Sequence, residues 1–183
     1  MIKGQGWINQ KKYGCLKHKW LRGYSDLKSL YGSLQPEIFK YPVANFLRFD
    51  AVAKFAVISI ALALFDAKIS YAQGVKQDID ILGTNSHGAQ ETNLAYFTDY
   101  IVNGRTLSRG NLFIYTLPSS FLAEAAIHFG LTGKLLYLGF PGNAQTASLK
   151  YALNMLKTEP QRTVLLVNAS STKADCLVLQ KTK

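Results

Sequence analysis

Hydrophobic and polar positions repeat with two different periods along this chain, and the alternation of the two periods predicts an α/β fold. Residues 51–68 are apolar on nearly every side, as in a helix that is buried between two layers. Residues 78–83 alternate between polar and apolar positions, which indicates a strand. The same patterns predict further helices at 90–103, 119–128 and 144–157, and further strands at 2–9, 135–139, 162–169 and 174–180.

The predicted order of elements is β-α-β-α-β-α-β-β, in which strands and helices alternate until a final hairpin. Such alternation favours a parallel sheet with helices on both of its faces. The sequence therefore predicts a three-layer αβα fold around a mostly parallel five-stranded sheet, to which the hairpin adds an antiparallel edge. The helix at 90–103 is predicted to be an amphipathic helix or lid. Its apolar stripe consists of Leu94, Phe97, Ile101 and Val102.

A basic and aromatic segment interrupts this pattern. The segment at about 10–45 shows no clean periodicity and is predicted to be an irregular insertion within a single domain that spans 1–183. Residues 10–30 contain one acidic residue, Asp26, and six basic residues: Lys11, Lys12, Lys17, Lys19, Arg22 and Lys28. A nucleic-acid-binding arm is one interpretation of such a cluster. No nucleic-acid-binding module surrounds it, so a solvated insertion is favoured.

Composition narrows the class of protein. The chain of 183 residues is 48% hydrophobic and 17% charged, which fits a globular domain and excludes a disordered chain. Its formal net charge of +10 favours anionic partners. Cys15 and Cys176 lack the spacing of a zinc site, and they are predicted to be free thiols in a reducing, cytoplasmic setting. No cofactor is expected. No membrane span is expected either, since the apolar run after Lys54 has only eleven residues before Asp66 and is too short to cross a bilayer.

Four motifs occur in an order and spacing that are typical of one family. Residues 2–6 (IKGQG) look like an opening strand with a Gly-x-Gly turn, and residues 46–50 (FLRFD) look like the entry to a core helix. Residues 82–88 (LGTNSHG) look like a second strand with its glycine turn, and residues 115–131 give the most specific match. Together they resemble the amino-terminal half of the β-ketoacyl synthases. The resemblance implies half of a thiolase fold over most of the chain.

The resemblance breaks at the position of the nucleophile. A complete synthase has a cysteine there, at a helix N-terminus that stabilises the thiolate, and two histidines from its second half complete the site. An alignment without gaps puts this position at Gly142, and a three-residue insertion puts it at Gln145. Residues 145–149 (QTASL) are then similar to the glutamine-bearing turn of chain-length factors, the non-condensing partners of type II synthases. Neither residue carries a thiol, so no catalytic residue is predicted.

The histidines do not supply an alternative catalytic set. His87 lies on a glycine turn, and a turn residue with a satisfied side chain is the favoured interpretation. His128 belongs to a helix of the family motif and is interpreted as structural. His18 lies in the basic segment and is interpreted as exposed.

These features predict a β-ketoacyl synthase-like protein that does not catalyse condensation. It would act as an accessory or partner subunit in fatty-acid or polyketide-type synthesis that depends on an acyl carrier protein. Carrier proteins of this family are acidic, so the expected partner contacts include basic side chains: Lys11, Lys12, Lys17 and Lys19. The alternatives are a truncated remnant of a longer synthase and an acyl-transfer enzyme that uses His87. Nucleic acid is a disfavoured partner.

A half thiolase fold also predicts an interface on the helix at 144–157. In complete relatives the second half packs on this helix, so here its apolar side chains would lie open to solvent. Leu149, Leu153 and Leu156 are predicted to form an exposed apolar patch, which usually marks an interface. The expected assembly is a homodimer or a hetero-oligomer with a ketoacyl synthase.

Overall fold

One mixed sheet organises the chain. The computed structural model describes residues 1–17, 21–104, 109–140 and 143–181, and within these ranges seven strands form the sheet. In chain order the strands are β1 (Ile2–Asn9), β2 (Lys12–Cys15), β3 (Leu21–Gly23), β4 (Ile79–Thr84), β5 (Leu135–Tyr137), β6 (Thr163–Ala169) and β7 (Lys173–Gln180). Their order across the sheet is β3-β2-β1-β7-β6-β4-β5.

Helices cover both faces of this sheet. In chain order they are α1 (Leu27–Ser33), α2 (Ala51–Asp66), α3 (Gln90–Asn103), α4 (Gly110–Ile114), α5 (Ser120–Phe129) and α6 (Ala144–Thr158). Helices α2 and α5 pack on one face, where they share the larger hydrophobic core with the sheet. Helix α6 packs on the other face over β4, β6 and β7. The predicted three-layer αβα arrangement is confirmed.

The prediction of a mostly parallel five-stranded sheet is wrong. Strand β4 runs parallel to β5 and β6, whereas the other four pairs among the described strands are antiparallel. A parallel pair needs a long crossover connection, usually a helix. Strand β7 instead follows β6 through a tight turn, and it pairs on its far side with β1 from the other end of the chain.

The two additional strands come from the segment that was predicted to be irregular. Asn9 starts a hairpin there, because its side-chain oxygen accepts hydrogen bonds from the backbone N–H groups of Lys11 (3.0 Å) and Lys12 (2.9 Å). Tyr13 and Cys15 on β2 are buried. The sequence pattern did not indicate strands here because lysines interrupt the alternation of polar and apolar positions. Edge strands commonly carry such charged side chains, which discourage pairing with further strands.

The buried helix at 51–68 is confirmed as α2. Asp50 caps its start by accepting a hydrogen bond from the backbone N–H of Ala53 (2.7 Å), and every residue from 55 to 64 is buried. The glycines of the IKGQG motif were expected in a turn, but they lie inside β1. A Cβ atom on Gly6 would lie 2.3 Å from the carbonyl oxygen of Ser59, so β1 and α2 touch through their backbones.

Helix α3 has the predicted bounds, but its apolar stripe faces solvent. Leu94 and Ile101 are 66% and 65% exposed. Asp99 is the one residue that is buried on this helix as described, and it anchors the helix end through a 2.8 Å contact between its Oδ1 atom and Nε of Arg109. Among the helices, α3 packs chiefly against α4. The stripe is therefore an open apolar surface.

The predicted leucine patch on α6 is wrong in part. Leu156 is buried against the sheet together with Ala152, and Leu149 is half-buried beside them. Only Leu153 of the three is exposed. The helical repeat places positions 149, 152 and 156 on the side that faces the sheet, while Leu153 lies on the opposite side.

Within the described ranges, none of the helices combines the length and the apolar character that a bilayer crossing requires. The same residues contain no group of three or more His, Cys, Asp or Glu side chains arranged to hold a metal ion.

Candidate functional site

A cleft of about 720 Å³ opens beyond the carboxyl ends of the parallel strands β4 and β6. Ligands of open α/β sheets bind in this position, because the loops after the strands meet there. The walls come from the loop after β4, the starts of α2 and α6, and the turn between β6 and β7. Polar side chains that line the cleft include Asp50, Asn85, His87, Glu91, Gln145, Asn168 and Lys173.

Asn85 fixes the loop that follows β4. Its side-chain oxygen accepts hydrogen bonds from the backbone N–H of Gly88 (2.5 Å) and from the hydroxyl of Tyr137 (2.8 Å), and its amide donates to the carbonyl of Gly88 (3.0 Å). His87 is thereby held at the cleft with its side chain exposed. In the described part of the chain its imidazole has no hydrogen-bond partner, so it lacks the orienting group of an activated base.

The start of α6 forms the opposite wall. Asn143 caps this helix by accepting a hydrogen bond from the backbone N–H of Thr146 (3.1 Å). Gln145 follows in the first turn, exposed and lining the cleft. A primary amide thus stands where a helix N-terminus meets the cleft, and an amide cannot form an acyl thioester. Gly142, the other candidate for this position, lies outside the described residues.

Neither thiol of the chain lines the cleft. Cys15 is buried on β2, where burial, with a smaller contribution from Asp66, raises its pKa to about 12. Cys176 is fully buried on β7, and burial raises its pKa far above the ordinary value. Both sulfurs stay protonated at neutral pH, so neither supplies a nucleophilic thiolate.

Two carboxyl groups that line the cleft, those of Asp50 and Asp175, are largely buried. Burial raises the pKa of Asp50, although its bonds to Ala53 and Thr92 oppose the shift. Burial also raises the pKa of Asp175, which accepts a hydrogen bond from the side-chain amide of Gln5 (2.6 Å). These bonds hold both carboxyl groups in place as polar walls of the cleft.

His128 lies away from the cleft in an aromatic cluster. It is 7% exposed, and its ring packs against Tyr41 and Phe129 at centroid distances of 4.5 and 4.7 Å. Burial lowers its pKa to about 4. The structural interpretation of this histidine is confirmed.

The basic side chains that were expected to act together are separated. Lys11 is exposed in the β1–β2 turn and Lys12 at the start of β2, both close in sequence to Asn9, which lines the cleft. Lys17 lies beyond the other end of β2, where its ammonium donates to the carbonyl of Lys3. His18 and Lys19 lie outside the described residues.

The sequence prediction missed several polar residues of the cleft, among them Asn143, Asn85 and Asp175. Asn143 carried a usable signal, because asparagine directly before a helical pattern is a common cap. Asn85 carried a local signal as well, because asparagine favours turns in which its side chain bonds the backbone two or three residues on, here at His87 and Gly88. Asp175 carried no such signal, since its partner Gln5 is distant in sequence.

The fold defined by this sheet and cleft is that of the β-ketoacyl synthases and their chain length factors. A ketosynthase in complex with its chain length factor from Xenorhabdus doucetiae matches with a TM-score of 0.60 at 15% identity, over 98% of this chain and 77% of that one. The ishigamide ketosynthase/chain length factor matches with a TM-score of 0.64 at 11% identity, over 98% and 61%.

A β-ketoacyl synthase from Burkholderia phymatum STM815 matches with a TM-score of 0.61 at 14% identity, over 99% of this chain and 58% of that one. The chain thus spans less than two thirds of the length of two of these three structures. No protein-family model matches the sequence, and no curated protein matches it either.

Proposed function

We propose that this protein is a non-condensing, chain-length-factor-like subunit that works in the cytoplasm with a β-ketoacyl synthase in polyketide- or fatty-acid-type synthesis. One observation carries the proposal: the cleft of a synthase-like fold presents the amide of Gln145, while both thiols are buried elsewhere. A subunit of this kind shapes a shared site or partner surface and leaves bond formation to its partner.

The first test of this proposal is whether the protein becomes covalently acylated. The purified chain is incubated with an acyl thioester and then with a malonyl thioester, and intact-protein mass and product are measured. We expect no acyl adduct and no condensation product, because no accessible thiolate exists. The variant Gln145→Cys is the control, and it should react readily with a small alkylating reagent. An acyl adduct that persists after Cys15→Ala and Cys176→Ala would refute the non-catalytic assignment and favour the acyl-transfer alternative at His87.

The partner surface that we propose is the open apolar face of α3 and α4. Its exposed side chains include Leu94, Phe97, Ile101, Phe113 and Ile114. Isolated apolar side chains on a surface are ordinary, but a contiguous group of this kind usually marks an interface. Two of the similar structures contain a ketosynthase with a chain length factor, which supports a synthase as the partner.

The second test concerns this surface. Tagged wild-type protein is recovered from its host, and native mass spectrometry identifies what it carries. We expect a β-ketoacyl synthase, and we expect Phe97→Lys to weaken the complex at least about thirtyfold, as for a central interface residue. Ala95→Lys is the matched control on the same exposed helix. Equal binding by both variants would remove α3 from the interface, and recovery of a chain without any synthase would favour a remnant.

The basic residues remain candidates for a carrier contact. Lys11 and Lys12 lie beside the rim of the cleft, and with the net charge of +10 they would speed the approach of an acidic carrier protein. Leu153 is a further exposed candidate on α6. We propose these contacts in addition to the α3 surface, together with the expected Lys17 and Lys19; Leu149 and Leu156, which pack against the sheet, are not part of this proposal.

A further inference from the structure

A second cavity lies at the opposite end of α2 from the cleft. This apolar slot has a volume of about 340 Å³ and is lined by Ile38, Lys40, Phe65, Lys68, Ile69 and Tyr71, together with Ser70. The cleft touches the start of α2, whereas the slot touches its end, so the 16 residues of the helix hold them about 24 Å apart. A ligand in the slot is therefore not a ligand of the cleft.

The walls of the slot are apolar and preformed. Ile38 and Tyr71 are buried, and the Tyr71 hydroxyl donates to the carbonyl of Ile38 (2.9 Å) and accepts from the backbone N–H of Lys40 (3.4 Å). The Tyr71 ring packs on Phe129 with 4.9 Å between centroids. The volume lies within the range of small-molecule sites, which combine apolar walls with a few placed polar groups.

The charged groups of the slot all have one sign. Lys40 and Lys68 are exposed at its edge, and none of its lining residues is acidic. The ammonium of Lys40 donates one hydrogen bond, to the carbonyl of Glu37 (2.8 Å), and so retains two donors. The ammonium of Lys68 has no partner in the described part of the chain. Charge complementarity therefore selects an anion.

The backbone at Lys68 is unusual. Its φ angle is +58°, in the left-handed region that follows many helix ends and that glycine normally occupies. The backbone N–H groups of Lys68 and Ile69 complete this helix end by donating to Phe65 (3.0 Å) and Leu64 (2.9 Å). Any side chain makes this left-handed backbone conformation less favourable, because its Cβ atom crowds the backbone carbonyl oxygen. Unlike glycine, the lysine at this position places a cation at the slot.

We propose that the slot binds a small amphiphilic anion, namely an alkyl carboxylate whose chain enters between Phe65, Ile69 and Tyr71 while its carboxylate meets Lys40 and Lys68. The proposal does not depend on the function proposed for the cleft.

The test is calorimetric titration of the purified full chain with straight-chain carboxylates from butanoate to decanoate. Affinity should rise about fourfold for each added methylene until the slot is filled. Octanamide, which lacks the charge, and acetate, which lacks the chain, should both bind at least tenfold more weakly than octanoate. Octanamide or acetate binding as tightly as octanoate would overturn the proposal.

The decisive variant is Lys68→Gly, because glycine suits the backbone at this positive φ angle and removes the cation together with its side chain. Its Tm should be no lower than that of the wild type, while its affinity for octanoate falls at least tenfold. Lys150→Ala removes the same charge from an exposed site on α6 and should bind octanoate as the wild type does. Unchanged binding by Lys68→Gly would place the ligand elsewhere, in the cleft for example, and would overturn the proposal.

Discussion

Gly6→Ala is expected to unfold the protein or to destabilise it by about 3 kcal/mol or more. The added methyl group would lie 2.3 Å from the carbonyl oxygen of Ser59 and 2.4 Å from the backbone nitrogen of Ala63. Both atoms belong to the backbone of α2, which cannot move aside as a flexible side chain could. Since folded domains are stable by only about 5–15 kcal/mol, circular dichroism during thermal unfolding should show a large fall in Tm.

Gly32→Ala is the matched control for this substitution. Gly32 lies in α1, and no atom approaches the position of its missing Cβ within 4 Å. Alanine in a helix is favoured over glycine by about 0.5–1 kcal/mol, so this variant should be as stable as the wild type or slightly more stable. A Tm for Gly6→Ala equal to that of the wild type would contradict the backbone contact between β1 and α2.

The second large effect is a dependence of stability on pH that His128 causes. Its pKa is lowered from 6.5 to about 4 in the folded protein because the ring is buried. The unfolded chain therefore binds a proton more readily, and the stability is present above pH 6.5 and lost as the pH falls toward about 4. Between pH 7 and pH 4 this group should lower the free energy of unfolding by about 3 kcal/mol.

Urea unfolding of the wild type and of His128→Phe at several pH values isolates this contribution. The carboxyl groups also titrate in this range, and burial of Asp50 and Asp175, which raises their pKa values, acts in the opposite direction. These groups are present in both proteins, so they cancel in the difference. Phenylalanine also removes the buried Nε2 atom of His128, which has no hydrogen-bond partner among the described residues. Parallel curves for the two proteins would show that the histidine is not protected from protonation.

Helix α2 runs from the cleft at one end to the slot at the other. The helix starts at the cleft with Asp50 and ends at the slot with Lys68 just beyond it. Gly4 and Gly6 let β1 lie directly against this helix. The two glycines of the opening motif therefore set how closely this helix lies against the sheet.

Local patterns in the sequence predicted most helices and strands. The apolar run from Ala51 predicted α2, the helical pattern over 144–157 predicted α6, and the alternation near the end of the chain predicted β6 and β7. Periodicity and capping depend on residues within a few positions of one another, so they can be read from the sequence. The family motifs likewise predicted the fold to which solved structures now point.

Tertiary structure alone decided how these elements are paired and covered. The sheet became mostly antiparallel because β7 inserts between β6 and β1, a pairing of residues up to 177 positions apart that no local pattern encodes. The stripe on α3 has the same period whether it faces the core or a partner, and only packing showed that it is open. Likewise, the cation at Lys68 became a candidate ligand group only when the fold placed it beside Lys40 and an apolar slot.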